Sequence, residues 1–219
     1  MTEAGITDVT SQLTVTSTAP AAYSLEEGVL NFCDGTHYVN LEIKGNSGLR
    51  SQNQDPTLAI LDGGGMSWVV HNEDSKKRVT IEDLMIQGGE GASDSLLGVP
   101  VGGGIYCAAA SGTSWSTQEM TLDNVILSAN NADYGGGLFS VYCDLDIKNV
   151  EISNNTAGVG AGFYLLQGKH QFTNSDILDN VADSVAGGGV IIGQFLSTSN
   201  VSGAMNEVVV NGNSASDEV

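Results

Sequence analysis

The chain has 219 residues, with 26 acidic and 7 basic side chains, a formal net charge of −19, and 29 glycines. Its hydrophobic fraction of 41% is too high for a disordered chain. No stretch approaches the ~20 consecutive apolar residues of a membrane-spanning helix. The charge excludes nucleic acid and anionic membranes as partners, because both are polyanions.

The N-terminal segment, residues 1–23, is polar and rich in Thr, Ser and Ala, which predicts a flexible or extended segment. Residues 24–219 are predicted to form a single domain, in which residues 24–60 supply an N-terminal cap or the first structural units. Short apolar runs at residues 39–45 and 57–65 predict early strands followed by turns. Residues 89–101 and 108–119 are predicted to be inserted loops.

A repeat of about 25 residues occupies residues 121–219. Each unit has a short strand that ends in an apolar-x-x-Asn motif, and in three of the four units a Gly-(Gly/Ala)-Gly-apolar element follows. The strands alternate apolar and polar residues with period two, and no sustained helical period is present. Short strands at this spacing predict an all-β parallel β-helix, a solenoid with ~25-residue coils and inserted loops.

Two rows of asparagine are expected to stabilise such a stack, because Asn tolerates left-handed backbone and its amide can hydrogen-bond along a ladder. The aligned asparagines of the motif are Asn130, Asn155, Asn180 and Asn213. A second row at equivalent positions consists of Asn124, Asn149 and Asn174.

The three cysteines are Cys33, Cys107 and Cys143. They have no C-x-x-C spacing, so a metal knuckle is not predicted. Two interpretations stay open: three small buried side chains, or one disulfide between Cys107 and Cys143 on adjacent repeats.

The paired motifs resemble the FxxN and GGA(I/L/V) repeats of chlamydial polymorphic membrane proteins, with Leu, Ile or Val in place of Phe here. The segment Leu61-Asp-Gly-Gly-Gly65 resembles the entry coil of pectin-lyase-like proteins. The resemblance implies a right-handed parallel β-helix in an exported bacterial surface protein, such as an autotransporter passenger. It also implies adhesins or polysaccharide-active enzymes as functional classes.

Two pairs of carboxylates are candidate chemical groups. Glu151 and Asp176 lie one repeat apart at the same register, a spacing that suits a solvated acidic face, half of a cation site or a glycosidase pair. Asp144 and Asp146 alternate on one predicted strand and are candidate ligands for Ca²⁺. No cofactor is predicted otherwise.

Three aromatic residues are candidate binding residues, because their rings can stack on sugars: Trp115, Tyr106 and Tyr134. We expect a non-catalytic structural or adhesive module, secreted or at a cell surface, that binds a glycan or a protein. The alternative is a polysaccharide lyase or glycoside hydrolase of the pectin-lyase-like type. End-to-end self-association is a further expectation, because no C-terminal cap is apparent.

Overall fold

The computed structural model describes residues 6–7, 12–13, 20–74, 77–93, 97–109, 118–184, 187–193 and 201–216, and these form β-strands and turns. The strands of the first half are β1 Ile6–Thr7, β2 Gln12–Leu13, β3 Ala21–Phe32, β4 Gly35–Ile43, β5 Ser47–Ser51, β6 Ala59–Asp62, β7 Val70–Asp74, β8 Arg78–Glu82, β9 Met85–Gln87, β10 Ala92–Ser93, β11 Pro100–Val101 and β12 Ile105–Ala109. The strands of the second half are β13 Gln118–Asp123, β14 Ile126–Ser128, β15 Asn131–Tyr134, β16 Leu138–Val141, β17 Cys143–Lys148, β18 Glu151–Ser153, β19 Thr156–Val159, β20 Phe163–Leu166, β21 Gly168–Leu178, β22 Val181–Ala182, β23 Val190–Gly193, β24 Val201–Asn211 and β25 Ser214–Ala215.

Parallel pairing dominates the described strands, so the prediction of an all-β protein with parallel strands is confirmed. The partners in the second half are set by the repeat: Leu127 of β14 pairs with Ile152 of β18, and Ile152 pairs with Ile177 of β21. The pair β10–β11 is antiparallel. The sequence repeat therefore specifies the register between neighbouring strands.

The prediction of an open right-handed solenoid is wrong, because eleven parallel strands close into a barrel round one axis. The pairings run from β3 through β4, β6, β9, β14, β18, β21, β17, β13, β8 and β5 back to β3. The circuit closes because two long strands each pair with two neighbours. The 12-residue β3 pairs with β4 and β5, and the 11-residue β21 pairs with β17 and β18. The strands predicted from the sequence are all short, and short strands with single partners do not predict the closure.

Rows of apolar side chains fill the interior. Leu122 lies beside Ile147, which lies beside Phe172, and all three are at most 1% exposed. Successive residues of a strand point to opposite faces, so the alternating sequence directs the aliphatic side chains inward and the polar side chains outward. Burial of these rows supplies the main favourable term for folding.

The glycine elements form corners where backbone segments come very close. Gly135 has φ +66°, a left-handed conformation that L side chains rarely adopt. At the next position, Gly136, an added Cβ would lie 2.2 Å from the carbonyl oxygen of Thr156. The second glycine is therefore required by packing between neighbouring repeats, and the first is required by the turn.

A disulfide joins Cys107 of β12 to Cys143 of β17, with 6.2 Å between their Cα atoms. Of the two interpretations that the sequence left open, the structure has the bonded pair, and Cys33 is a free thiol. Both bonded cysteines are fully buried. The bond therefore links two walls of the interior across 36 residues of chain.

The predicted N-terminal segment, residues 1–23, lies mostly outside the described residues. Within it the structure has β1 and β2, both paired with β3, and β3 already begins at Ala21. The division of the chain into residues 1–23 and a single domain of residues 24–219 stays a prediction.

Candidate functional site

The first asparagine row forms a continuous amide ladder inside the protein. The Oδ1 atom of Asn155 accepts hydrogen bonds from the backbone N–H and the Nδ2 atom of Asn130, each at 3.0 Å. Asn180 accepts the same two bonds from Asn155, and Asn213 accepts them from Asn180. Asn130, Asn155 and Asn180 are at most 1% exposed. These amides satisfy buried backbone groups at a corner, which is a structural task.

Left-handed backbone lies one residue before each of these asparagines. Ala129, Asn154 and Asp179 have φ of 54°, 55° and 53°. The prediction that the asparagine itself both adopts the left-handed backbone and forms the amide bonds is therefore wrong for this row. The structure divides the two tasks between neighbouring residues, because a buried amide can reach the adjacent repeat only from the inward-pointing position.

The second asparagine row lies on the outside, and its bonds are less regular. Nδ2 of Asn174 donates to Oδ1 of Asn149 at 2.8 Å. Asn149 itself donates to Asp123, and Asn124 donates to Asp83. All three asparagines have φ between 49° and 54°. Here the asparagine does adopt the left-handed turn.

The predicted carboxylates lie on the outer faces of their strands. Glu151 and Asp176 occupy directly paired positions, and Glu151 accepts a hydrogen bond from the Ser153 hydroxyl at 2.7 Å. Asp144 accepts the backbone N–H of Lys169 at 2.7 Å. Asp146 forms an ion pair with Lys148, and this pairing raises the pKa of the Lys148 ammonium.

No cluster of three or more His, Cys, Asp or Glu side chains suited to a metal ion occurs within the described ranges. The structure therefore does not bring Asp144 and Asp146 together with a third ligand among those residues. Their assignment as calcium ligands, like the catalytic assignment of Glu151 and Asp176, stays a prediction.

The three predicted aromatic binding residues have different positions. Trp115 lies outside the described residues. Tyr106 is 4% exposed, and its ring stacks on Phe139 with 5.8 Å between centroids. Tyr134 is half-buried and packs edge-on against Tyr164, and burial raises the pKa of the Tyr164 phenol. Tyr106 in particular packs within the protein and offers little surface to a ligand.

The rings of Tyr106, Phe139 and Tyr164 belong to a row of directly paired side chains on the outer face of their strands, which we call the outer row. Its members, one from each strand, are Ser24, Glu42, His71, Tyr106, Phe139 and Tyr164. The row is polar at its first three positions and aromatic at its last three. The aromatic half is covered by an apolar cluster that includes Val101, Leu97 and Val99. The polar half adjoins a pocket.

The pocket has a volume of about 260 Å³ and lies on the outer surface of β3, β4 and the start of β7. Among the residues that line it are Tyr23, Ser24, Asn40, Glu42, Trp68 and His71. The volume lies just below the ~300–1,000 Å³ usual for ligand sites, so it suits a ligand the size of one sugar unit. Aromatic walls beside hydroxyl, amide and carboxylate groups are the components of a polar small-molecule site.

Trp68 is held in a defined orientation at this pocket. Its ring stacks on His71, with 4.4 Å between centroids and 12° between planes. Its Nε1–H donates to the carbonyl oxygen of Val101 at 2.6 Å. These contacts position the indole before any ligand arrives, which lowers the entropic cost of binding.

No motif in the sequence predicts this pocket. Its residues come from the upstream region, where the repeat is weak and no motif marks them. The available signal was a tryptophan shortly before a strand, with His71 three residues later. Only the pairing of β3, β4 and β7 joins them to Glu42 and Asn40.

Comparison of the chain with models of protein families, with curated proteins and with solved structures finds no match. Among the described residues, no helix is long and apolar enough to cross a membrane.

Proposed function

We propose that this protein is a non-catalytic extracellular or cell-surface module that binds a glycan through the pocket beside Trp68. The observation that carries the proposal is the pocket itself. The stacked rings of Trp68 and His71 line it, together with the polar groups of Ser24, Asn40 and Glu42. Sugar rings present apolar C–H faces and polar edges, and such a lining complements both.

The disulfide supports a location outside the cytoplasm. Disulfides persist in oxidising environments and are rare in the cytosol, where thiols are kept reduced. The Cys107–Cys143 bond therefore favours a secreted or surface protein. The resemblance of the repeat motifs to those of bacterial surface proteins points in the same direction.

The test is a screen of the intact chain against immobilised glycans, followed by titration of each captured glycan with Trp68→Ala. We expect the variant to weaken binding by roughly 30-fold, the usual consequence of removing a central tryptophan. Met66→Ala is the matched control, because Met66 is 66% exposed, two residues away, and is not among the residues that line the pocket.

Trp68 also packs against the outer apolar cluster, so thermal unfolding of each variant must accompany the titrations. Trp68→Phe retains an aromatic wall and is expected to recover part of the affinity. Capture of no glycan, or equal binding by a folded Trp68→Ala variant, would contradict the proposal.

A further inference from the structure

We propose that the pocket selects a protonated amino sugar, so that the preferred ligand is a polysaccharide with free amines rather than one with N-acetyl or carboxylate groups. This inference rests on the proposed glycan binding and specifies the sugar class. It is carried by the charges around the pocket and by the position of its aromatic walls.

The lining of the pocket is acidic. Glu42 lines it, with a side chain that is 44% exposed, and none of the described lining residues is Lys or Arg. Lys44 lies 3.2 Å from the Glu42 carboxylate and 3.4 Å from that of Glu26, but it is not among the lining residues. The Glu42 carboxylate can therefore accept hydrogen bonds from a ligand ammonium on the pocket side.

A second carboxylate lies beside the histidine wall. Oε2 of Glu73 is 3.7 Å from Nε2 of His71, and the Glu73 side chain is 46% exposed. His71 is in turn the residue paired with Glu42 across β4 and β7. Carboxylates thus lie on two sides of His71, and the local potential favours a cation.

The charge of the whole chain acts in the same sense. With 26 acidic and 7 basic side chains, the protein attracts cationic ligands and repels anionic ones over the distance of a Debye length. Polyuronates and sulfated glycans are disfavoured at such a surface. A polymer of amino sugars is attracted to it before any specific contact forms.

The aromatic walls add a cation-specific contact. Trp68 is the strongest cation–π acceptor among the side chains, and it is one of the residues that line the pocket. An ammonium group on a sugar ring can approach the Trp68 ring while its protons reach the Glu42 carboxylate. An N-acetyl group removes the charge and, with it, both interactions.

The experiment is calorimetric titration of the intact chain with three probes of equal length: oligomers of glucosamine, of N-acetylglucosamine and of galacturonic acid. We expect the glucosamine oligomer to bind at least about tenfold more tightly than the other two, in line with one charge-assisted contact. The preference is expected to fall as the pH rises through the pKa of the sugar amine, and to fall with added salt.

Glu42→Gln is the diagnostic variant, and Glu26→Gln is its matched control. Both remove one negative charge, and both carboxylates lie near the same Lys44, but only Glu42 is among the residues that line the pocket. We expect Glu42→Gln to weaken binding of the glucosamine oligomer about tenfold, with no change for the N-acetylated oligomer, and Glu26→Gln to leave both nearly unchanged.

Equal affinity for the two oligomers, or equal effects of the two Gln variants, would overturn the amino-sugar inference. If another glycan then binds and is lost with Trp68→Ala, the proposed glycan binding stands without it. If no glycan of any class binds the folded protein, both fail.

Discussion

The inner asparagine ladder and the outer row follow the same rule of pairing but differ in chemistry. In the inner ladder each repeat contributes one asparagine at the corner between two strands, and in the outer row each strand contributes one side chain. Neighbours lie about 4.8 Å apart along both. The inner ladder repeats one residue, because a buried amide must bond both to its neighbours and to the backbone at a fixed corner. The outer row changes from Ser24 to Tyr164: its polar members Ser24 and Glu42 are partly exposed, whereas Tyr106 and Phe139 are buried in an apolar cluster. The positions of the inner ladder are therefore restricted to asparagine, whereas those of the outer row accept different side chains and can serve binding.

The strongest way to break the inner ladder is Asn155→Ala. Asn155 donates to Asn180 and to the Leu127 carbonyl at 2.9 Å each, and it accepts two bonds from Asn130. Truncation leaves buried donors and an acceptor without partners, so we expect a loss of about 4 kcal/mol in the free energy of unfolding, measured by denaturant titration. Asn131→Ala is the control on the exposed side of the same corner, where Asn131 Oδ1 accepts from Thr156, and should cost less than about 1 kcal/mol. Equal losses would contradict the distinction between inside and outside.

The next largest effect concerns a histidine on the inner face. His170 is fully buried, and neither ring nitrogen has a hydrogen-bond partner in the structure. Burial lowers its pKa to about 4, against a smaller opposing effect of Asp144. Below pH ~6.5 the unfolded chain takes up a proton that the folded protein does not accept until about pH 4. The free energy of unfolding should therefore fall by up to roughly 3 kcal/mol as the pH falls through this window, with no contribution from His170 above it.

His170→Leu is the matched variant for the pH experiment. It retains a side chain of similar shape and removes the titration, so its unfolding free energy should lack this slope between pH 6.5 and 4. If the unfolding free energy of the variant depends on pH as strongly as that of the wild type, groups other than His170 cause the acid sensitivity.

The smallest expected effect sharpens the comparison at the corner itself. Ala129 is exposed and has φ +54°, while the equivalent residues one and two repeats later are Asn154 and Asp179. Asn adopts this conformation more readily than Ala, so Ala129→Asn should stabilise the protein by about 0.5–1 kcal/mol, seen as a higher melting temperature. The reciprocal change Asn154→Ala should destabilise by a similar amount. A loss of stability in Ala129→Asn, or a gain of stability in Asn154→Ala, would contradict the division of tasks at the corner.

The parts of the fold that could be predicted are those with a periodic signal. Asn130, Asn155 and Asn180 recur every 25 residues, and Leu122 and Leu127 are the buried apolar residues of two successive strands, β13 and β14. The pocket has no such signal. Ser24, Glu42 and His71 differ in type and are unequally spaced, so only the observed pairing of β3, β4 and β7 shows that they are neighbours.

The sequence by itself determined the all-β class, the parallel register and the inward or outward direction of each side chain in the repeats, because these depend on local period and on identical residues at equal intervals. The tertiary structure alone decided the closure of the eleven-strand barrel, the disulfide between Cys107 and Cys143, and the pocket beside Trp68. Each of these depends on how far a strand such as β3 extends and on which two partners it meets. Contacts between distant segments set those features, and no local pattern records them.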